Sequence, residues 1–292
     1  MKRDDLTGLA FGGNKTRKLE YLIGEAIAEG ADAVVTGGAA QSNHCRQTAA
    51  AAAACGLACH LALGGEAPEA LTGNLLLDSL LGATIHWCGE HRKGEDIPAI
   101  CDDLRQRGLR PYVIPYGGSN ATGAMGFVEA VREVSVQLGA ELAGIGHIVF
   151  ASSSGGTHAG LLVGRKMYGH NFRVTGINID KGETGETSLA DHIEELAGVV
   201  AGRLELPFPS ADVVLLDDYV GEGYGMLGDC EREAISLCAR LEGVLLDPVY
   251  TGRAMGGMID LIRKKEIGED DTVLFWHTGG SPALFAYADE LC

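Results

Sequence analysis

Eight apolar runs of strand length recur along this chain, each separated from the next by a segment with helical patterning, and this alternation constrains the fold more than any other feature. The first four runs are Ala33 to Thr36, His60 to Leu63, Thr84 to Trp87 and Pro111 to Ile114. The second four are His147 to Ala151, Arg173 to Ile179, Val213 to Leu216 and Thr272 to His277. Glycines punctuate their ends, as expected for buried strands that lead into turns. Successive parallel strands need a crossover, and helices supply it, so the pattern predicts an α/β fold with parallel-rich sheets flanked by helices. Two series imply two lobes, and 292 residues with 46% hydrophobic content can bury two such cores. The first series sets a small lobe at residues 18–128, inserted into a larger lobe built from 1–17 and 129–292.

Several function classes are excluded by composition and spacing. A formal net charge of −17 repels phosphate backbones, and no basic stripe or tail offsets it, so nucleic acid is not an expected partner. No stretch reaches the roughly 18 consecutive apolar residues that span a bilayer. The start "MKRDD" lacks the apolar segment of a signal peptide, so a cytoplasmic location without membrane association is expected. Eight cysteines spread through a chain of this size read as reduced thiols. "CGLACH" has one residue too many between its cysteines for haem attachment and reads as a small-residue helix entering a strand. The nine histidines show neither a close repeat nor paired cysteine spacing, so no metal site is expected.

Four glycine-rich turns follow strand runs: "TGGAAQSNH", "YGGSNATG", "SSSGGTHAG" and "TGGSPALF". Ligands of α/β sheets bind beyond the carboxyl ends of strands, so these turns are expected to converge on one cleft. The third turn opens a helix, where the free N–H groups of Ser154 to Thr157 and the helix dipole favour a phosphate. It is neither a P-loop nor a dinucleotide fingerprint, because both spacings are absent. A further glycine pair, Gly12 and Gly13, leads into Lys15 where another helix begins. A phosphate site and a cleft lysine together point to pyridoxal phosphate, whose aldehyde a lysine must hold while its phosphate is bound elsewhere. Lys15 and Lys18, about one helical turn apart, both qualify on spacing alone.

Six segments together resemble the D-cysteine desulfhydrase and 1-aminocyclopropane-1-carboxylate deaminase family: "KRDDLTGLAFGGNKTRKLEYL", "QSNHCRQTAA", "RPYVIPYGGSNATGAMGFVEA", "SSGGTHAGL", "LEGVLLDPVYTGRAMGGMID" and "FWHTGGSPALFAY". They stand in family order and reach from Lys2 to Tyr287. That family comprises two-lobed fold-type II pyridoxal phosphate enzymes, related to the tryptophan synthase β subunit. The resemblance implies that Lys15 carries the cofactor, that Ser42 binds the substrate carboxylate and that Asn43 lies near the cofactor's phenolic oxygen. It likewise implies a phosphate loop at Ser154, Gly155, Gly156 and Thr157, and active-site tyrosines at Tyr250 and Tyr224. The residue after "DPVY" approaches the pyridine nitrogen; it is glutamate in the ring-opening deaminases and Thr251 here. That threonine is similar to the D-cysteine desulfhydrase branch, with a small amino acid as substrate and a homodimer as the assembly. An L-cysteate sulfo-lyase is the runner-up, followed by cyclopropane ring opening and by a non-catalytic cofactor-binding homologue. Two departures from the family pattern stand out. Relatives carry a strand ahead of "KRDD", so the larger lobe is expected to lack an edge strand, and "GYGMLGDC" replaces the usual proline and asparagine after "GYG".

Overall fold

The computed structural model describes residues 1–180, 187–208 and 213–292. Its strands are β1 (Lys2–Arg3), β2 (Ala33–Ala39), β3 (Ala58–Gly64), β4 (Thr84–Trp87), β5 (Pro111–Val113), β6 (Ile145–Ser152), β7 (Arg173–Asn178), β8 (Val214–Leu216) and β9 (Thr272–His277). The helices that matter below are α1 (Lys15–Ala28), α2 (Asn43–Cys55), α3 (Gly73–Leu80), α4 (Ile97–Gln106), α5 (Ala121–Leu138), α6 (Gly156–Met167), α7 (Leu189–Arg203), α8 (Asp229–Glu242) and α9 (Thr251–Arg263). All eight apolar runs form strands, and every pairing between these strands is parallel.

Two sheets result, in the orders β4-β3-β2-β5 and β1-β9-β6-β7-β8. In the first, Val34 faces α1 and α2 while its neighbours Ala33 and Val35 face α4, so both faces are covered. In the second, Ile148 and Phe150 pack with α5, α6 and α7, whereas Val149 and Ala151 pack with α8 and α9. Strands buried on both sides read as continuous apolar runs, which is why their periodicity was so legible. The boundary drawn at Val128 falls inside α5, whose Ala121, Ala124 and Phe127 belong to the core of the larger sheet.

Strand order also sets where a ligand can sit. Beyond the carboxyl ends of β2 and β5, and of β6 and β9, the two sheets reverse direction of growth; glycine-rich turns follow β5, β6 and β9, whereas Thr36 to Ala39 of the first expected turn pair with β3 and complete β2. At one edge, contrary to expectation, Lys2 and Arg3 pair with Trp276 and His277 as a two-residue strand. The adjoining Asp4 is fully buried, accepting hydrogen bonds from Trp276 Nε1 at 2.8 Å and from Arg17 at 2.8 and 2.9 Å. That ion pair anchors the chain start against α1. No helix among the described residues is long and apolar enough to cross a membrane.

Candidate active site

The turn before α1 is held from both sides. Gly13 N–H donates to Asp4 O at 2.7 Å and to Thr7 Oγ1 at 3.0 Å, and Asn14 N–H donates to Thr278 O at 2.9 Å. Gly12 and Gly13 have φ of +64° and +133°, and a Cβ on Gly13 would lie 2.4 Å from Gln47 Nε2. Only glycine lets the turn close against α2 there. The turn delivers Lys15 as the first residue of α1, with Nζ 3.1 Å from Gly117 O. Lys18 reaches the same carbonyl at 3.1 Å and also Ser119 Oγ at 3.1 Å. Burial lowers the Lys15 amine from 10.5 to about 8, and burial beside the Lys15 charge puts Lys18 well below its usual range. Among the described residues no carboxylate pairs with either lysine.

Facing them is the turn after β6. Gly155 takes φ of +84°, and α6 begins at Gly156, whose N–H donates to Ser119 Oγ at 3.0 Å. Ser119 Oγ donates to Ser154 Oγ at 2.8 Å, and Thr157 Oγ1 accepts from Asn14 Nδ2 at 3.1 Å. A Cβ on Gly156 would meet Lys18 Nζ at 3.0 Å, so glycine lets the amine approach the helix start. Helix N–H groups, three hydroxyls and an amine without a counter-charge form a cradle for a dianion, and a dianion there would favour the protonated form of Lys18. Lys15, Asn43, Ser154, Gly155, Thr157 and Tyr250 all line one cleft.

Tyr224 comes in from the segment before α8, its hydroxyl 2.6 Å from that of Tyr250. Burial pushes both phenols well above their usual range, so each keeps its proton near neutrality. The guanidinium of Arg92 lies 4.9 Å from the Tyr224 ring centre and pairs with Asp180 at 2.7 Å. Two expected site residues serve helix starts as well. Ser42 caps α2, its oxygen accepting from Cys45 N–H at 3.2 Å, which leaves its proton free to donate. Thr251 opens α9, donating its hydroxyl proton to Asp247 Oδ1 at 2.7 Å and accepting from Asp247 N–H at 2.7 Å. Lys18, a rival to Lys15 on spacing alone, thus belongs to the cradle, as does Ser119, whose one signal in the sequence is its place in the "YGGSN" turn.

The sequence profile described as pyridoxal-phosphate dependent enzyme matches residues 1–279. The chain belongs to this family. Among curated members, D-cysteine desulfhydrase of Salmonella choleraesuis is 46% identical over 293 residues, covering 98% of this chain and 88% of the relative. The enzyme of the same name from Salmonella typhi is equally similar, with the same coverage. A solved structure of an ACC deaminase homologue superposes with a TM-score of 0.91 at 40% identity, covering 99% of this chain and 86% of the other. Threonine deaminase isoform 2 from Solanum lycopersicum shares the fold at a TM-score of 0.67 and 17% identity, covering 99% and 81%. This chain is therefore a pyridoxal-phosphate dependent enzyme of the α/β, fold-type II class. The residues present fit the cofactor: a cleft lysine with a depressed amine stands within reach of an anion cradle whose cation lacks a carboxylate partner.

Proposed function

We propose that this enzyme breaks D-cysteine down by β-elimination, giving pyruvate, ammonia and hydrogen sulfide with uptake of one water. The observation that carries this reading is the near full-length likeness, at 46% identity, to proteins named D-cysteine desulfhydrase. Pyridoxal phosphate, when bound, supplies an electron sink for the charge left at Cα as its proton departs. Lys18, Ser119, Ser154, Gly155, Gly156 and Thr157 would hold the phosphate, and Asn43 would donate to the phenolic oxygen.

The remaining chemistry belongs to this chain's own groups. Ser42 donates its free proton to the substrate carboxylate, beside the N-terminus of α2, and so orients the Cα–H bond. Lys15, neutral once its amine is free, accepts the Cα proton at Nζ. With Tyr224 as the donor of the hydrogen bond between the two phenols, the Tyr250 proton is free for the departing sulfur and is presented from the cleft wall. Thr251 offers the ring nitrogen a neutral hydroxyl whose own proton is committed to Asp247. That favours a good leaving group such as sulfide over the harder opening of a cyclopropane ring.

The same reading carries a division into lobes at 18–128 and the remainder, supported by the four-stranded sheet lying wholly within residues 33–113. It also carries a cytoplasmic location and a homodimer, the dimer supported by the exposed Leu76 and Leu80 of α3 and by Phe285 in the turn that packs on α3. The deciding experiment is one assay of D-cysteine, L-cysteine, L-cysteate, D-serine and 1-aminocyclopropane-1-carboxylate, measuring pyruvate, 2-oxobutyrate, sulfide and sulfite. Sulfide from D-cysteine should dominate. Dominant sulfite would move the assignment to a sulfo-lyase, dominant 2-oxobutyrate to a ring-opening deaminase, and no product at all to a non-catalytic homologue.

A further inference from the structure

Arg46 is fully buried, yet its guanidinium touches no carboxylate. Nη2 donates to Gly12 O at 2.6 Å, and Nη1 donates to Asn74 Oδ1 at 2.9 Å and to Asn43 Oδ1 at 3.3 Å. Asn74 in turn donates from Nδ2 to Asn43 Oδ1 at 2.9 Å and to Gln41 O at 2.8 Å. The hydrogen bonds of the Arg46 guanidinium all go to neutral acceptors, with the carboxylates of Asp78 and Asp247 acting on it only through space, so its burial is costly, and a hydrophobic residue would staple two helices at lower desolvation cost. The partners explain why a cation stands here. Asn43 Oδ1 receives two donors, so its amide cannot flip, and the NH₂ end is the one left for the cleft that Asn43 lines. The Gly12 carbonyl belongs to the turn that delivers Lys15.

We infer that Arg46 is a positioning residue, whose one guanidinium fixes the Asn43 carboxamide with its NH₂ toward the cleft and holds the Gly12 turn that carries Lys15. The two groups that meet the cofactor's phenolic oxygen and its aldehyde carbon are thereby registered against each other, although they come from different helices. The inference rests on the proposed roles of Asn43 and Lys15. Asn74, on α3, is the second strut.

The test uses holoenzyme and reads the pH midpoint of the bound cofactor's absorption near 410 to 430 nm, together with the dissociation constant for pyridoxal phosphate. Losing an amide donor to the phenolic oxygen raises the proton affinity of the bound group, so Asn43→Ala should move the midpoint up by about one pH unit. Arg46→Met should move it in the same direction and weaken cofactor binding about tenfold or more. In the Asn43→Ala background, Arg46→Met should move the midpoint no further. Asn74→Ala, which keeps the buried cation, should give a smaller shift of the same sign and supplies the answer if Arg46→Met does not fold. A lowered melting temperature with an unmoved midpoint in both Arg46→Met and Asn74→Ala would make Arg46 a structural staple and overturn the inference. So would shifts that add in the double variant. An unmoved midpoint in Asn43→Ala itself would instead remove the role given to Asn43, and the inference with it.

Discussion

Lys15 must be neutral to capture the aldehyde of pyridoxal phosphate, so the pH dependence of capture by the apoenzyme reports how far burial has lowered its amine. Desolvation takes this amine from 10.5 to about 8, worth roughly 3 kcal/mol against the charged form. At about pH 7.5 roughly a quarter of Lys15 is then neutral, against about one part in a thousand for a solvated lysine, a gain of roughly 200-fold in reactive amine. The assay is stopped-flow absorbance near 410 to 430 nm after mixing apoenzyme with cofactor between about pH 7 and 10. Dividing each rate by that of a lysine-containing peptide at the same pH removes the cofactor's own titration. The ratio should hold steady up to about pH 8 and then fall toward tenfold per pH unit, because the peptide keeps gaining neutral amine after Lys15 has finished. A ratio that stays flat to pH 10 would mean that Lys15 titrates like a solvated lysine, and the burial argument would be wrong. Lys15→Ala should abolish the band; a band that survives, carried on Lys18, would reverse the assignment of the two lysines.

Two further outcomes follow from side chains and glycines near the cleft. Asp78 is fully buried with no hydrogen-bond partner for either carboxylate oxygen, and desolvation raises it from 3.8 to about 7. A carboxyl raised on folding costs nothing below the unfolded value and its full penalty above the folded one, so Asp78→Asn should match the parent near pH 4 and exceed it by roughly 4 kcal/mol near pH 8. Chemical denaturation of both proteins at several pH values checks this, and a less stable variant at pH 8 would refute it. Gly117 has φ of +63°, and a Cβ there would lie 2.1 Å from Ser154 Oγ and 3.2 Å from Lys15 Nζ, whereas Gly82, at φ of +79°, has nothing within 4 Å. Gly82→Ala should therefore lose only about 1 kcal/mol for its backbone, while Gly117→Ala should lose more and also bind pyridoxal phosphate at least roughly tenfold more weakly.

Much of the architecture was legible because a parallel strand covered on both faces is apolar throughout, so each of the eight runs announced itself without any knowledge of its partners. Val34 and Val35 both had to be apolar, since one faces α2 and the other α4. Local chemistry was legible for the same kind of reason: a glycine turn that opens a helix, such as "SSGGTH", presents free N–H groups whatever surrounds it. The family resemblance added the names of the site residues, and the structure brings Lys15, Asn43, Ser154, Gly155, Thr157 and Tyr250 to one cleft. The expectation of a missing edge strand failed because two residues suffice to pair with the end of β9. Alternation, segment type and the turn chemistry were thus determined by the sequence itself, because each depends on residues within a few positions of one another. Strand order decided the rest. It placed Gly117 O, 102 and 99 residues away, against Lys15 and Lys18, paired Tyr224 with Tyr250, and set Arg46 against the Gly12 carbonyl. These are contacts between distant segments, and no periodicity along the chain encodes which segments become neighbours once the sheets form.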